Sequence, residues 1–257
     1  MTNVVSKIVR YQTAAGISYG SLEGETIREW KGDLFHHSET GVTHPLSSVK
    51  LLVPCTPGKI LCVGRNYESH MAGRQNPKRP EMFLKSISSL QNQDDPIVIP
   101  NGAANVHYEG ELVLVLGKRL KKASREEAET AIFGLTIGND ACDRDWQHGP
   151  DKDMQWWRAK SFDTCGPVGP WIVTGLGPRD LMLRTRLNGE VVQEQSTNDL
   201  IFDCPTLLSF TSQYMTLDPG DLIFTGTPNV TKKMSPGDTV EVEIENIGTL
   251  RNPVVAE

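Results

Sequence analysis

The chain has no Cys-X-X-Cys pair and no Cys/His group at zinc spacing, which excludes a structural zinc module and thioredoxin-like redox chemistry. Its five cysteines, Cys55, Cys62, Cys142, Cys165 and Cys204, are odd in number and widely spaced. They read as reduced thiols that serve mainly in packing. Long hydrophobic runs are missing too. No window approaches a transmembrane span, and residues 1–12 hold no apolar core of signal-peptide length. The expectation is a cytoplasmic protein with no membrane partner. Basic charge is in short supply, with 26 Lys and Arg against 32 Asp and Glu, a net charge of −6. The one dense basic cluster, residues 118–122, reads as a solvated turn between a strand and a helix. A nucleic-acid partner is therefore excluded. There is no solenoid repeat and no low-complexity tract.

What is there fits one medium β-rich or α/β domain with a small appendage. The chain is organised around residues 106–116, a β-branched and apolar run that stops at Gly117-Lys118. In a strand, residues i and i+2 share a face. Glu109 and Glu111 therefore project side by side with Val113 and Val115, while Tyr108, Leu112, Leu114 and Leu116 line the other face. A strand apolar on both faces is buried, and two parallel carboxylates at its mouth need protons, a basic partner or a cation. The alternative is that the strand frays at Glu109 and both acids are hydrated.

Around this strand the pattern is mostly β. Residues 6–30 read as a small meander and 33–50 as a polar loop, with a boundary near residue 54 at Pro54 and Pro57. Residues 59–64 form an apolar strand that runs into His70, a histidine that either faces a cleft or sits on a surface loop. Residues 71–81, rich in Gly, Arg, Lys and Pro, are an irregular segment able to act as a lid. Ser124 to Glu127 is a capping box opening a helix of about two turns, through Ile132 and closed by Gly134. A strand then ends at Asp140, which is either a site residue or a helix N-cap. Asn188-Gly189 joins a hairpin, 203–215 is a helix with Pro205 in its first turn, and 239–247 is a strand. Its Glu241, Glu243 and Glu245 are solvated acids.

Six stretches in this order carry a resemblance over roughly residues 54–257: Gly64 to His70, the Glu-X-Glu strand, Gly138 to Gln147, Ala159 to Asp163, Gly220 to Pro228 and Ile247 to Pro253. Together they resemble the fumarylacetoacetate hydrolase family, especially its short bacterial members, the acylpyruvase and 2-hydroxyhepta-2,4-diene-1,7-dioate isomerase type. The resemblance implies an α+β fold, a mixed β-roll or sandwich with few helices. It implies a small variable N-terminal β domain (1–54), a catalytic domain (55–257) and a homodimer. It implies a Mg²⁺ or Mn²⁺ site at Glu109, Glu111 and Asp140, a hard oxygen set suited to such ions. Arg144, Gln147, Lys160 and Thr227 then bind or polarise the substrate. Larger relatives carry a fourth metal acid seven residues before the histidine. Val63 stands there, so three carboxylates are expected.

The implied substrate is a 2-oxo or β-diketo acid, of acylpyruvate or fumarylpyruvate type. Its cleavage passes through an enolate stabilised by the metal and Lys160, with His70 as general base. The leading expectation is a catabolic hydrolase of carbon–carbon bonds, in aromatic-compound breakdown. The alternatives are an isomerase, tautomerase or decarboxylase acting on a related 2-oxo dicarboxylic acid, and more remotely a non-catalytic binder of small acids. Many hydrolytic relatives carry a glutamate three residues after the histidine, as its partner. Here that position is Gly73. Glu68 and Glu81 are the nearby acids that could stand in. An isomerase needs only proton transfer on a bound enol, so it fits this departure too.

Overall fold

The three strands expected in residues 6–30 form a meander, Ser6–Thr13, Gly16–Glu23 and Thr26–Gly32, around Val9, Tyr11, Leu22 and Ile27. The structure is a computed structural model and describes residues 5–257, so the expectation for residues 1–12 lies partly outside the described residues. Residues 33–50 are not simply a loop. His37–Pro45 is a fourth strand, paired antiparallel with Thr26–Gly32. Its residues are almost all exposed, so it lacks the apolar alternation that identifies strands. Backbone pairing and a stack of His37 on Trp30, with ring centroids 3.5 Å apart, hold it.

The meander continues into a large mixed sheet. Ser6–Thr13 pairs with Gly166–Thr174, followed in order by Ile132–Asn139, Gly110–Leu116, Leu222–Phe224, Ile60–Gly64 and Glu81–Lys85. A second sheet runs Glu190–Ser196, Met182–Leu187, Thr239–Ile244, Gly248–Ala256 and Ile97–Ile99. The expected strand 239–247 is thus a hairpin, turning at residues 245–247. Asn188 and Gly189, with φ of 54° and 84°, make the turn of the other hairpin. Helices are few and short. The longest, Cys204–Tyr214, is capped by Asp203, which accepts from the Thr206 amide at 3.1 Å. The fold is mostly β with few helices, as the sequence suggests.

Gly110–Leu116 is buried on both faces. Leu112, Leu114 and Leu116 join Leu183, Val242 and Leu208 in one core, while Val113 and Val115 join Ile60, Cys62 and Phe224 in another. The chain breaks its extended run at Tyr108-Glu109, so the expected single strand is two: Val106–His107 and Gly110–Leu116. Gly110 lies where the second sheet packs directly on this strand. A Cβ there would be driven into Thr185 Oγ1 and come within 2.9 Å of Val242 Cγ1. The Ser124 to Glu127 capping box forms with both its hydrogen bonds, but its helix, Arg125–Glu129, is shorter than expected. Ile132 already belongs to the next strand, because Gly134 is needed there. A Cβ at Gly134 would sit 2.6 Å from Ile172 Cγ2 and 2.7 Å from the Val173 carbonyl. All five cysteines are free and buried.

Candidate active site

The two glutamates are not hydrated. Glu109 and Glu111 are 5% and 1% exposed, and Asp140 is 1% exposed. Asp140 is not a helix cap. Asp143 caps the helix Arg144–His148, accepting from the Trp146 amide at 2.8 Å. Backbone links between the strand ends fix the acids. The Asp140 amide donates to the Glu109 carbonyl at 2.9 Å, and the Glu109 amide donates to Asn139 Oδ1 at 2.9 Å. Carboxylate oxygens of Glu109, Glu111 and Asp140 lie within 4.8 Å of one another.

Three cations face the three acids. Lys160 Nζ bridges Glu109 and Asp140, donating to Asp140 Oδ2 at 2.7 Å. Arg144 pairs with Glu109 and donates to Gln147 Oε1 at 2.7 Å and to Thr231 Oγ1 at 2.8 Å. Lys85, fully buried, donates to Asp140 Oδ1 at 2.8 Å, to the Lys160 carbonyl and to Cys165 Sγ at 3.2 Å. Burial alone would raise Glu109, but Arg144 and Lys160 outweigh it and hold the carboxyl at about 2. Burial would lower Lys160, yet Asp140 and Glu109 push its ammonium well above its ordinary value. Glu111 differs. Burial, then the charges of Asp140 and Glu109, drive its carboxyl well above the usual carboxylate range. Among the described residues it has no ion-pair partner, and it accepts only from the Gly226 amide, at 2.7 Å.

A hard divalent cation fits this arrangement. Three hard anionic oxygens converge, and one acid is left without a counter-charge in a buried position. Val63, at the fourth acid position of larger relatives, lines the same cavity and offers no ligand.

All eight residues singled out from the sequence, His70, Glu109, Glu111, Asp140, Arg144, Gln147, Lys160 and Thr227, line one cavity of about 310 Å³. Thr227 is also tied inward, its Oγ1 donating to the Gly110 carbonyl at 3.0 Å and accepting from Gln193 Nε2 at 2.9 Å. His70 sits on a single helical turn, Glu68–Met71. Its Nδ1 lies 2.5 Å from the Asn229 carbonyl. A carbonyl only accepts, so Nδ1 carries the proton and Nε2 keeps the lone pair of the neutral ring. Burial lowers the imidazole below its ordinary value, partly offset by Glu109.

Neither acid considered as a partner for His70 plays that part. Glu68 accepts from Asn76 Nδ2 at 2.6 Å, and Glu81 pairs with Arg65. Sequence reasoning missed Lys85, Arg65, Arg74, Phe83 and Trp156. Phe83 and Trp156 form an edge-to-face wall of the cavity, with centroids 5.6 Å apart. Segment 71–81 is irregular up to the strand at Glu81, and contributes Arg74 and Glu81 to the cavity lining.

Residues 59–255 match a family model described as fumarylacetoacetate (FAA) hydrolase C-terminal, and residues 6–54 match one described as Rv2993c-like, N-terminal. The chain is 43% identical to Protein Rv2993c of Mycobacterium tuberculosis, over 97% of this chain and 98% of that protein. It is 40% identical to an oxaloacetate tautomerase of Xenopus laevis, over 81% of this chain and 69% of the other. It is 38% identical to a bifunctional isomerase/decarboxylase of 4-hydroxyphenylacetate degradation from Salmonella dublin, over 92% of this chain and 53% of the other. Among solved structures, a 2-hydroxyhepta-2,4-diene-1,7-dioate isomerase from Mycobacterium marinum superposes with a TM-score of 0.91 at 42% identity, covering 98% of this chain and 99% of that one. A maleylpyruvate hydrolase from Sphingobium sp. SYK-6, in complex with manganese(II) and pyruvate, gives 0.80 at 28% identity, covering 97% and 99%.

Proposed function

The chain belongs to the fumarylacetoacetate hydrolase family of enzymes, and from that premise we propose that it isomerises a 2-oxo acid by moving a proton through an enol. The observation that carries this reading is the setting of His70. Its ring lines the cavity of the acidic triad, and its partner is a backbone carbonyl rather than a carboxylate. A carbonyl fixes the tautomer and the ring orientation. It does not supply the negative charge that would favour a long-lived imidazolium. That suits a neutral base that takes a proton from carbon and returns it, and suits less well a base that must generate hydroxide from water.

Glu109, Glu111 and Asp140 would hold a Mg²⁺ or Mn²⁺ ion. Such an ion supplies Lewis acidity toward the carbonyl and carboxylate oxygens of a chelating 2-oxo acid. The chain does the rest. Lys160, its charge locked on by Asp140 and Glu109, places an ammonium where enolate charge develops. Arg144 and Gln147 form a second polar wall. Among the described residues the Gln147 amide nitrogen has no hydrogen-bond partner, while its oxygen accepts from Arg144, so the nitrogen can donate to a substrate. His70 Nε2 takes the proton next to the carbonyl. Phe83 and Trp156 restrict water on one side.

A second reading, hydrolysis of a carbon–carbon bond in an acylpyruvate, draws support from the likeness to maleylpyruvate hydrolase with manganese and pyruvate bound. Mass spectrometry of products separates the two. Incubation with acetylpyruvate, fumarylpyruvate, oxaloacetate and a 2-hydroxydienedioate, with Mg²⁺ or EDTA, is expected to give a mass-neutral conversion that EDTA abolishes. Stoichiometric pyruvate plus a second acid would instead establish hydrolysis, and loss of CO₂ would establish decarboxylation.

A further inference from the structure

His107 stands two residues before Glu109, and its ring contacts two side chains. Its Nε2 lies 2.9 Å from Asn105 Oδ1 and its Nδ1 lies 3.0 Å from Thr231 Oγ1. The orientation of Asn105 is fixed, because its Nδ2 donates to Asp145 Oδ1 at 3.0 Å and a carboxylate only accepts. Asn105 Oδ1 therefore faces His107 as an acceptor, and Nε2 of the ring carries the proton. Nδ1 of the neutral ring keeps its lone pair and accepts from the Thr231 hydroxyl. The one proton of that hydroxyl is thus committed to His107. Its oxygen in turn accepts from Arg144 Nη2 at 2.8 Å.

The links all point one way: Arg144 to Thr231, Thr231 to His107, His107 to Asn105, and Asn105 to Asp145. A guanidinium stands at one end and a carboxylate at the other, and hydrogen bonds arranged head to tail strengthen one another. Both N–H bonds of Arg144 Nη2 are engaged, by Glu109 and by Thr231, and Nη1 donates to Gln147 Oε1 at 2.7 Å. A planar fork held at three points keeps one orientation. Among the described residues one Nη1 N–H has no partner, so it can meet a substrate in the cavity that Arg144 lines. Thr231 is buried and follows Asn229 by two residues. The Asn229 carbonyl holds His70 Nδ1, so one loop places both the base and the guanidinium. That loop is pinned beside His107, where the Met234 amide donates to the Val106 carbonyl at 2.8 Å.

We propose that Thr231 is the positioning residue for Arg144, with His107 setting the direction of its hydroxyl. Without the hydroxyl, Arg144 keeps only Glu109 and Gln147, the fork loses its fixed orientation, and binding of a 2-oxo acid weakens through Arg144 alone. This rests on the 2-oxo acid reading given above. A threonine that merely packs the loop would tolerate valine, which keeps its shape, and any effect of replacing it would be independent of Arg144.

The test is a double-mutant cycle of Thr231→Val and Arg144→Met, read as the dissociation constant of pyruvate in Mg²⁺ by isothermal titration calorimetry. This binding readout does not depend on turnover. Thr231→Val should weaken binding about tenfold, whereas Thr231→Ser, which keeps the hydroxyl, should bind as the wild type does. In the Arg144→Met background Thr231→Val should change nothing further. A long-range proton–nitrogen NMR spectrum at neutral pH should show His107 with its proton on Nε2 alone. A loss of equal size in both backgrounds, no loss in the wild-type background, or a proton on His107 Nδ1 overturns the proposal while leaving the 2-oxo acid reading intact. If Arg144→Met does not fold, the contrast between Thr231→Val and Thr231→Ser decides, and equal affinities overturn the proposal. Failure of the wild type to bind pyruvate overturns the reading and the proposal together.

Discussion

At the scale of single residues, the site is a balance of three carboxylates and three buried or half-buried cations, and each can be removed separately. Lys85→Met takes one cation from Asp140 and leaves that carboxylate buried with Lys160 alone. Breaking a buried pair this way costs about 3–5 kcal/mol, read as a lower urea midpoint in chemical denaturation. A loss below about 1 kcal/mol would show that Lys160 suffices. His70→Asn is expected to lower kcat by about 10²–10⁴-fold with a small change in KM, the usual contribution of a positioned base. Burial disfavours the charged imidazole, so the neutral form persists to lower pH than in a free histidine. The acid limb of the kcat/KM profile should therefore fall below 6.5, the ordinary histidine value. A midpoint above that value would contradict the assignment. Glu109, Glu111, Asp140, Arg144 and Lys160 were legible because each stands at a strand or helix end inside a recognisable stretch. Lys85 was not, because a lysine closing a short strand reads as a surface cation, and its burial follows from a partner 55 residues away in the sequence.

At the scale of elements, the site depends on strands packed closely enough that glycines are required. Gly138 lies beside Gly110–Leu116, where a Cβ would be driven into Phe224 and come within 2.7 Å of Val113 Cγ2. Gly138→Ala should cost about 1–3 kcal/mol by overpacking and displace Asp140, two residues on. Weaker metal binding along with a lower melting temperature checks this, and an unchanged metal affinity would show that Asp140 is positioned independently. Central elements were readable from sequence because a strand apolar on both faces leaves little choice. The edge strand His37–Pro45 was not, since nothing in it is buried and it is held by backbone pairing and one ring stack rather than by an apolar face. The helix after Ser124 was drawn too long because a cap marks where a helix begins, whereas its end was set by the sheet's need for Gly134.

At the scale of the whole molecule, two sheets and a meander surround one charged cavity, and the outer surface carries an unusual apolar groove beside it. Leu84, Met154, Trp157 and Tyr214 line that groove and are all exposed. The family resemblance implies a homodimer, and we propose that the second copy of the chain covers this groove. Light scattering after gel filtration should give twice the monomer mass of 28.4 kDa, and a monomer at micromolar concentration would contradict this. No helix among the described residues is long and apolar enough to cross a membrane. In the proposed reaction His70 moves a proton at carbon on an acid held by the carboxylate triad. Its most direct test is proton NMR in D₂O, following deuterium exchange at C3 of a 2-oxo acid with the Mg²⁺-loaded enzyme. Rapid exchange that stops in EDTA and in His70→Asn is expected. Exchange that persists in either, or turnover of the substrate with no deuterium entering C3, would contradict it.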